Sequence, residues 1–294
     1  MRKTVLLLTL IFFSWANLSF ALDWVKLHEE ADKIDLPKAV AAVQAKPDSA
    51  EAQYVLGLVY LNEHKDKEAK EVFQKILDPN PNIFEARWGV AEVLRRQHQL
   101  EKSERILDEI VKSNPEFSPA YITLAYVKYI QMDFNGSVSM ALKVMNQDKD
   151  KVDLSNYVRA YLLYGGAKGA IAHFGGPLSK LINGTAVFSN LKKAEKLQPE
   201  SAAVKYGLGA FYLLAPGFVG GNLLLAEGYL TKSVELDPLF ANAYVRLAEV
   251  YQAKGDKVKF EQYLAKAFEI DPGCELARDV KNNTCKYVCY EGGK

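Results

Sequence analysis

Residues 50–83 read AEAQYVLGLVYLNEHKDKEAKEVFQKILDPNPNI, and this stretch decides the fold. It ends just after one of three prolines that recur at an interval of 34 residues: Pro47, Pro81 and Pro115. Three small residues keep the same interval at another phase: Gly57, Ala91 and Ala125. A fixed period of this length is typical of a chain built from repeated structural units.

The apolar and small residues within each unit stand at characteristic offsets. In residues 50–83 they are Leu56-Gly57, Tyr60, Ala69, Phe73 and Pro81. In residues 241–274 they are Tyr244, Leu247-Ala248, Tyr251, Gly255-Asp256, Leu264, Ala267 and Pro272. This spacing resembles the tetratricopeptide repeat family, whose unit is a helix, a turn and an antiparallel helix. The resemblance implies an all-α fold, a right-handed superhelical solenoid of antiparallel helix pairs.

The positions in the pattern have a direct physical meaning. A small residue in the first helix lets two helices approach closely, while Tyr60, Phe73 and Ile76 fill the space between helices and units. One unit cannot bury its apolar face alone, so stacked neighbours supply the core. Proline ends each unit because it lacks an N–H and disfavours helix in the residue before it.

Following the small residue along the chain indicates about six units, at Gly57, Ala91, Ala125, Ala160, Gly209 and Ala248. We expect a partial repeat or cap at 22–49, repeats over 50–272 and a cap at 273–294. The larger steps late in the series imply insertions near 165–185 and 215–222, and both segments are rich in glycine. Because glycine permits positive φ angles and interrupts helices, we predict surface loops there, the first with one or two short helical turns.

The beginning of the chain has the pattern of an export signal. Two basic residues precede an apolar run over residues 5–13, and the small residues Ser19 and Ala21 follow. This order predicts a signal peptide over residues 1–21, cleaved between Ala21 and Leu22. The alternative is an uncleaved anchor, but the run is well short of the roughly 20 residues that a spanning helix needs. We therefore expect an exported protein, in a bacterial periplasm, with no membrane span after cleavage.

Charge and motifs exclude several classes of function. Residues 22–294 carry 35 basic and 36 acidic side chains, so no basic field is present to hold nucleic acid or an anionic membrane. The glycine-rich stretch at 165–169 lacks the G-x4-G-K-[ST] pattern of a phosphate-binding loop. Signatures of serine hydrolases, zinc proteases and c-type cytochromes are also missing. We expect neither catalysis nor a cofactor.

The histidines give little indication of a metal site. His64 and His98 lie one repeat apart, in the turn where glycine is usual. Zinc needs its ligands almost in contact, at about 2.0–2.1 Å from the metal, whereas adjacent helices lie about 8–10 Å apart. We interpret both as exposed turn residues. His173, in the large insertion, is a somewhat better ligand candidate but has no obvious local companion.

All three cysteines, Cys274, Cys285 and Cys289, lie near the C-terminus. In an exported protein this favours a disulfide, which would tether the tail to the last helix and cap the solenoid. The favoured pairing joins Cys274 to Cys285 or to Cys289, with one thiol left over. A reactive or metal-binding trio is the alternative, but no histidine or acidic partner is evident.

Aromatic residues mark the expected binding surface. In the tetratricopeptide family, the residues three before, one after and four after the small residue usually face the concave groove. Carried onto this sequence, the resemblance gives these candidate partner-binding residues: Tyr54, Trp88, Glu92, Arg95, Tyr126, Tyr129, Tyr157, Tyr161 and Tyr164. The last three share one helical face by their spacing. Tyrosine and tryptophan with a polar tip suit an interface, although packing residues of the core are the alternative.

The expected function is binding without catalysis. The first hypothesis is a scaffold that holds a protein or peptide partner in its concave groove. The second is a small-molecule-binding accessory of a transport system, because the Gly-Gly turns resemble those of the T component associated with TRAP transporters. An open groove would favour the first hypothesis, and a pocket enclosed by the glycine-rich insertions would favour the second.

Overall fold

The computed structural model describes residues 22–290, so the predicted signal peptide lies outside the described residues. Between these bounds the chain forms fifteen α-helices and no strand. The first eight are α1 (Trp24–Ala31), α2 (Leu36–Ala45), α3 (Ala50–Asn62), α4 (Asp66–Leu77), α5 (Phe84–Arg96), α6 (Leu100–Ser113), α7 (Ser118–Ile130) and α8 (Phe134–Met145). The others are α9 (Leu154–Phe174), α10 (Pro177–Leu197), α11 (Ala202–Leu214), α12 (Leu223–Leu236), α13 (Ala241–Ala253), α14 (Lys257–Ile270) and α15 (Glu275–Asn282).

Six helix pairs, from α3/α4 to α13/α14, form the body of the molecule, and each pair packs on the next. Helices α1 and α2 precede the first pair, and α15 follows the last. The predicted all-α solenoid of helix pairs is confirmed.

The contact between units depends on small residues, as the repeat pattern predicts. Phe73 of α4 is fully buried. A Cβ atom on Gly57 of α3 or on Gly89 of α5 would come within 2.5 Å of the Phe73 ring. Glycine at both positions therefore allows this ring to lie between two first helices, which ties neighbouring units together.

The turns inside the pairs repeat in conformation. His64, His98 and Met132 have φ angles of 55°, 59° and 66°, and Gly255 has 75° in the last unit. A positive φ in the left-handed region is usual for glycine and uncommon for other residues. Three residues with side chains thus occupy a position that glycine would fill without strain.

The prediction of a loop over the first glycine-rich insertion is wrong. Helices α9 and α10 are each 21 residues long, and Gly165, Gly166 and Gly169 lie inside α9. Glycine costs a helix about 1 kcal/mol relative to alanine, but tertiary packing offsets this cost. A Cβ on Gly165 would lie 3.5 Å from the Val187 carbonyl oxygen of α10, so the small residues let the two long helices pack closely.

The second glycine-rich segment is a connection, as predicted. Residues 215–222 join α11 to α12 and contain only a short 3-10 turn at Gly217–Val219. Asn222 ends the connection and caps α12, since its side chain accepts hydrogen bonds from the backbone N–H groups of Leu224 and Leu225. Over residues 22–290, none of the helices combines the length and apolarity needed to cross a bilayer.

Candidate functional site: a cavity inside a closed solenoid

The first helices of successive pairs surround one large cavity. Its volume is about 1520 Å³, and α3, α5, α7, α9, α11 and α13 all contribute to its wall. Most of the wall is apolar, and its members include Leu58, Ile122, Leu162, Leu191, Phe211 and Phe240. Such a wall is typical of a ligand-binding site, although this cavity exceeds the roughly 300–1,000 Å³ of sites for drug-sized ligands.

Contacts between distant units close the solenoid around the cavity. His64 Nε2 lies 3.1 Å from an oxygen of Asp237, and His98 Nε2 lies 3.0 Å from an oxygen of Asp271. The two histidines are one repeat apart, and so are the two aspartates. The same contact is therefore made twice, between the turns of two early units and the ends of two late ones.

His98 makes the stronger of these contacts because both ring nitrogens face carboxylates. Its Nδ1 lies 2.6 Å from Glu275, opposite the contact to Asp271. A ring that donates from both nitrogens is an imidazolium. Hydrogen bonds to Asp271 and Glu275 accordingly raise the pKa of His98 to about 9. The interpretation of His64 and His98 as mere exposed turn residues is therefore wrong, because both are half-buried or paired across the molecule. Repeat-matched aspartates, each followed by proline, were the signal that could have indicated it.

Helix α1 lies across one end of the predicted groove. The ring of Trp24 packs edge-on against Phe117 at 5.3 Å, and the ring of His28 lies 5.2 Å from that of Trp88. His28 Nε2 also lies 2.9 Å from the Tyr54 hydroxyl. Tyr54 is 0% exposed and is absent from the cavity wall, so its predicted role in partner binding is wrong because α1 already covers it.

Trp88, Glu92 and Arg95 do reach the cavity wall, but as members of one internal network. Trp88 Nε1 donates to Thr123 Oγ1 at 3.0 Å, and Thr123 Oγ1 donates to Glu92 at 2.9 Å. Arg95 and Arg96 both donate to the same carboxylate. Burial alone would raise the pKa of Glu92, but the two guanidinium groups outweigh it and hold this pKa far below its usual range.

Tyr126 and Tyr129 of α7 lie on the wall and remain half-buried. The guanidinium of Arg95 is 5.0 Å from the centre of the Tyr126 ring. The Tyr129 ring stacks against Tyr287 of the C-terminal tail, with centroids 6.5 Å apart. Burial raises the pKa of the Tyr129 hydroxyl to about 12, so it stays a neutral hydrogen-bonding group.

Tyr157, Tyr161 and Tyr164 of α9 are not among the residues that line the cavity. The hydroxyls of Tyr157 and Tyr161 lie 3.1 Å apart, and the ammonium of Lys168 lies 5.7 Å from the Tyr164 ring. The prediction that they face the groove is wrong because the register on α9 begins earlier. The wall residues Ile122, Tyr126 and Tyr129 of α7 correspond to Ser155, Arg159 and Leu162 of α9, a step of 33 residues.

Arg159 is the wall residue that the sequence analysis missed. It is half-buried, and it has no hydrogen-bond or ion-pair partner in the part of the chain that the structure describes. The other arginines of the wall are engaged: Arg95 and Arg96 by Glu92, and Arg246 by Glu249. A step of 33 instead of 35 residues would have placed Arg159 on the groove.

The C-terminal tail closes the other end of the groove. Arg246 Nη1 donates to the Val288 carbonyl at 2.8 Å, and the Tyr290 backbone N–H donates to Glu249 at 3.1 Å. The Tyr287 hydroxyl donates to the Ile130 carbonyl at 2.9 Å. The tail thus bridges α13 and α7, which lie in different units.

The favoured cysteine pairing is wrong. Cys285 and Cys289 form the disulfide, and Cys274 is a free, buried thiol. Burial raises the pKa of Cys274 to about 11, so it behaves as an apolar core residue. The disulfide staples the tail to itself, and the tail is held to α13 by hydrogen bonds instead of by a cross-link.

One side of the cavity mouth is apolar and exposed. The connection 215–222 and the start of α10 form it, and Phe218 is 93% exposed there while Leu181 is 67% exposed. His173, at the end of α9, also reaches the wall, and its ring packs edge-on against Phe174. No three histidine, cysteine, aspartate or glutamate residues within 22–290 are grouped so that they could hold a metal ion.

The fold is shared with known repeat proteins. Residues 241–274 match a tetratricopeptide repeat model, and residues 48–159 match the model of the TT21 fifth ARM repeats domain. A tetratricopeptide repeat protein from Parabacteroides merdae is 16% identical, with 89% of this chain and 98% of that chain covered and a TM-score of 0.50. A chain of the APC/C hetero-tetramer Cut9–Hcn1 is 18% identical, with 88% and 48% covered and a TM-score of 0.55. No curated protein matches the chain.

The chain is therefore a tetratricopeptide-type repeat protein with the fold of a helical solenoid. This fold is typical of scaffolds for protein partners that carry out no catalysis themselves. Within that class, this chain closes its solenoid on a central cavity and covers both ends of the groove with its own termini.

Proposed function

We propose that the protein is an exported, non-enzymatic scaffold that takes an extended, mainly apolar segment of a protein partner into its central cavity, with an acidic group of that segment at Arg159. The size of the cavity, about 1520 Å³, is the observation that carries this proposal. A space beyond the usual range for drug-sized ligands suits several residues of a polypeptide.

The chemistry of the wall supports a segment of this composition. Burial of apolar side chains against Leu162 and Phe211 supplies affinity without strict sequence requirements. Tyr126 and Tyr129 add rigid aromatic surface with a polar tip, which is enriched at protein interfaces. Arg159 supplies an unpaired, half-buried guanidinium, the side chain best suited to hold a carboxylate in two hydrogen bonds.

Export to a bacterial periplasm is part of the proposal. The signal-like residues 1–21 support it, as does a disulfide between Cys285 and Cys289, because disulfides persist in oxidising compartments. N-terminal sequencing of the protein from the envelope fraction tests it. A mature chain that begins at Leu22 is expected, and one that begins at Met1 would contradict it.

A displayed library of random peptides tests the binding proposal, with the mature protein as bait. Selected peptides should be apolar with an acidic residue, and fluorescence anisotropy should show that Arg159→Gln weakens their binding about tenfold or more, since a lost charged hydrogen bond costs about 1.5–3 kcal/mol. Gly166→Leu fills space at the wall and should block binding. Peptides that bind both variants normally would contradict the proposal.

Two tyrosines form a matched control pair. Each is half-buried beneath a cation, with Arg95 above Tyr126 and Lys168 above Tyr164. Only Tyr126 lines the cavity. Tyr126→Ala should therefore weaken peptide binding, whereas Tyr164→Ala should leave it unchanged at a similar small cost in stability. Equal effects of the two variants would show that the binding surface lies elsewhere.

A second candidate function is the binding of an apolar small molecule with an anionic group, as an accessory of transport. The closing contacts of His64 and His98 favour it, because they make the groove a pocket. The exposed apolar mouth at Phe218 would admit such a ligand. The fluorescent fatty acid cis-parinaric acid tests it. Binding that Gly166→Leu abolishes, together with failure to select peptides, would favour this candidate over the first.

A further inference from the structure

The first described residue is anchored to a buried carboxylate. The backbone nitrogen of Leu22 lies 2.8 Å from Oε1 of Glu85, on α5. Leu22 is 8% exposed and Glu85 is 1% exposed. The contact joins residues 63 positions apart, so it holds the start of the chain in the interior of the second repeat unit.

The carboxylate is only partly satisfied by this contact. Oε2 of Glu85 is buried and has no hydrogen-bond partner. A buried carboxylate without a compensating positive charge is costly, and such groups are normally paired. No lysine or arginine forms an ion pair with Glu85 among residues 22–290. Burial raises the pKa of Glu85 to about 7, although the hydrogen bond from Leu22 lowers it in part.

The sequence places the predicted cleavage at the same nitrogen atom. Cleavage between Ala21 and Leu22 makes the Leu22 nitrogen the α-amino group of the mature chain. As an ammonium, this nitrogen has three N–H donors and a full positive charge, whereas as a peptide nitrogen it has one donor and no charge. The missing countercharge and the missing donors would both be supplied at this position.

We propose that removal of residues 1–21 creates the group that Glu85 binds: the α-ammonium of Leu22, which forms a buried ion pair with the Glu85 carboxylate and fixes α1 in the groove. The inference rests on the proposed export and is independent of what the cavity binds. In the precursor, the same nitrogen offers a single neutral donor, so α1 is held less firmly until the chain is processed.

The covalent step is a hydrolysis by a signal peptidase. The bond between the Ala21 carbonyl carbon and the Leu22 nitrogen breaks, and the oxygen of a water molecule joins the carbonyl carbon to give a carboxylate. The nitrogen takes up protons and becomes an ammonium. No oxidant or further reactant is needed.

The anchor has a consequence for the groove. Trp24 and His28, one and two helical turns beyond the ion pair, pack on Phe117, Tyr54 and Trp88. Since α1 has only eight residues, it is too short to be stable alone and depends on these contacts and its anchor. Processing would therefore set the final shape of this end of the cavity.

Two chains that differ by one residue test the proposal. One begins with an authentic Leu22, released from a removable fusion, and the other retains Ala21. The authentic chain should melt at least about 3 °C higher, and the difference should shrink in a Glu85→Gln background. Equal melting temperatures, or a difference that Glu85→Gln leaves unchanged, would overturn the proposal.

A second measurement needs no variant. Competitive acetylation of the authentic chain across pH, read by mass spectrometry, reports the pKa of the Leu22 amine. An unpaired α-amino group titrates at about 7.7–8.0, and the ion pair should raise this to above about 9 and slow the reaction. An ordinary pKa would overturn the ion pair alone, whereas a cellular chain that begins at Met1 would also overturn the proposed export.

Discussion

The α3/α4 pair and the α9/α10 pair use glycine in opposite ways. In α3, Gly57 is a contact point, because any side chain there would collide with Phe73. In α9, Gly166 leaves space, since the nearest atom to an added Cβ is 3.9 Å away on Tyr129. The first pair has helices of 13 and 12 residues, and the second has two of 21. The same residue type therefore tightens one pair and leaves room inside another.

This difference explains how one fold gives both a rigid body and a cavity. Short pairs with Gly57 and Phe73 pack unit against unit, whereas the long pair extends past its neighbours with three glycines, two of them on its α9 inner face beside Leu162. Where side chains are absent, the wall recedes. The insertion thus enlarges the central space instead of forming a surface loop.

The largest expected effect is that of Phe73→Ala in the short pair. The ring is fully buried between Gly57 and Gly89, which cannot move inward to fill the space it leaves. The variant should lose about 3–5 kcal/mol in the free energy of unfolding, measured by chemical denaturation. Phe218→Ala removes a ring that is 93% exposed and should change this free energy by no more than about 0.5 kcal/mol. Similar losses in both variants would show that the α4 contact is not a core contact.

Alanine at the two glycines should have effects of opposite sign. Gly57→Ala adds a methyl group 2.5 Å from the Phe73 ring and should destabilise the protein by about 1–3 kcal/mol. Gly166→Ala adds a methyl group to a helix with room for it and should stabilise the protein by about 0.5–1 kcal/mol. Thermal and denaturant unfolding measure both. Destabilisation by Gly166→Ala would contradict the space assigned to α9.

The sequence predicts the regular units well because their signals are local. Gly57, Ala69, Phe73 and the prolines each satisfy a packing or chain-ending requirement within one 34-residue unit. The register in the fourth unit was wrong because Ala160 is as small as its counterparts but stands two positions later in the true repeat. Small residues occur on both sides of α9, so the sequence offers more than one register there.

The closing contacts could not be derived from the repeat pattern. His98 and Asp271 are separated by 173 residues, and their approach depends on the summed curvature of the intervening units. The lengths of α9 and α10 alter that curvature, and the pattern is silent on them. The covering of Tyr54 by α1 has a similar cause, because α1 lies outside the repeats and its docking position depends on long-range contacts.

The smallest expected effect concerns the closing contact that the early short units make with the far end of the chain. His98→Asn removes the charge and keeps a residue that tolerates the φ angle of 59°. Hydrogen bonds to Asp271 and Glu275 raise the folded-state pKa of His98 to about 9, above the ordinary value of about 6.5. The stabilisation is therefore fully present below about pH 6.5 and is lost as the pH rises through about 9.

Since His98 is partly exposed and screened by solvent, the wild type should be more stable than His98→Asn by on the order of 1 kcal/mol at pH 6. At pH 10 the two free energies of unfolding should converge. His64→Asn is the matched control, because His64 has nearly the same φ angle and faces one carboxylate instead of two. It should have the smaller effect at pH 6. A His98→Asn deficit that persists undiminished at pH 10 would mean that the imidazole ring, and not its charge, holds the early units to the late ones.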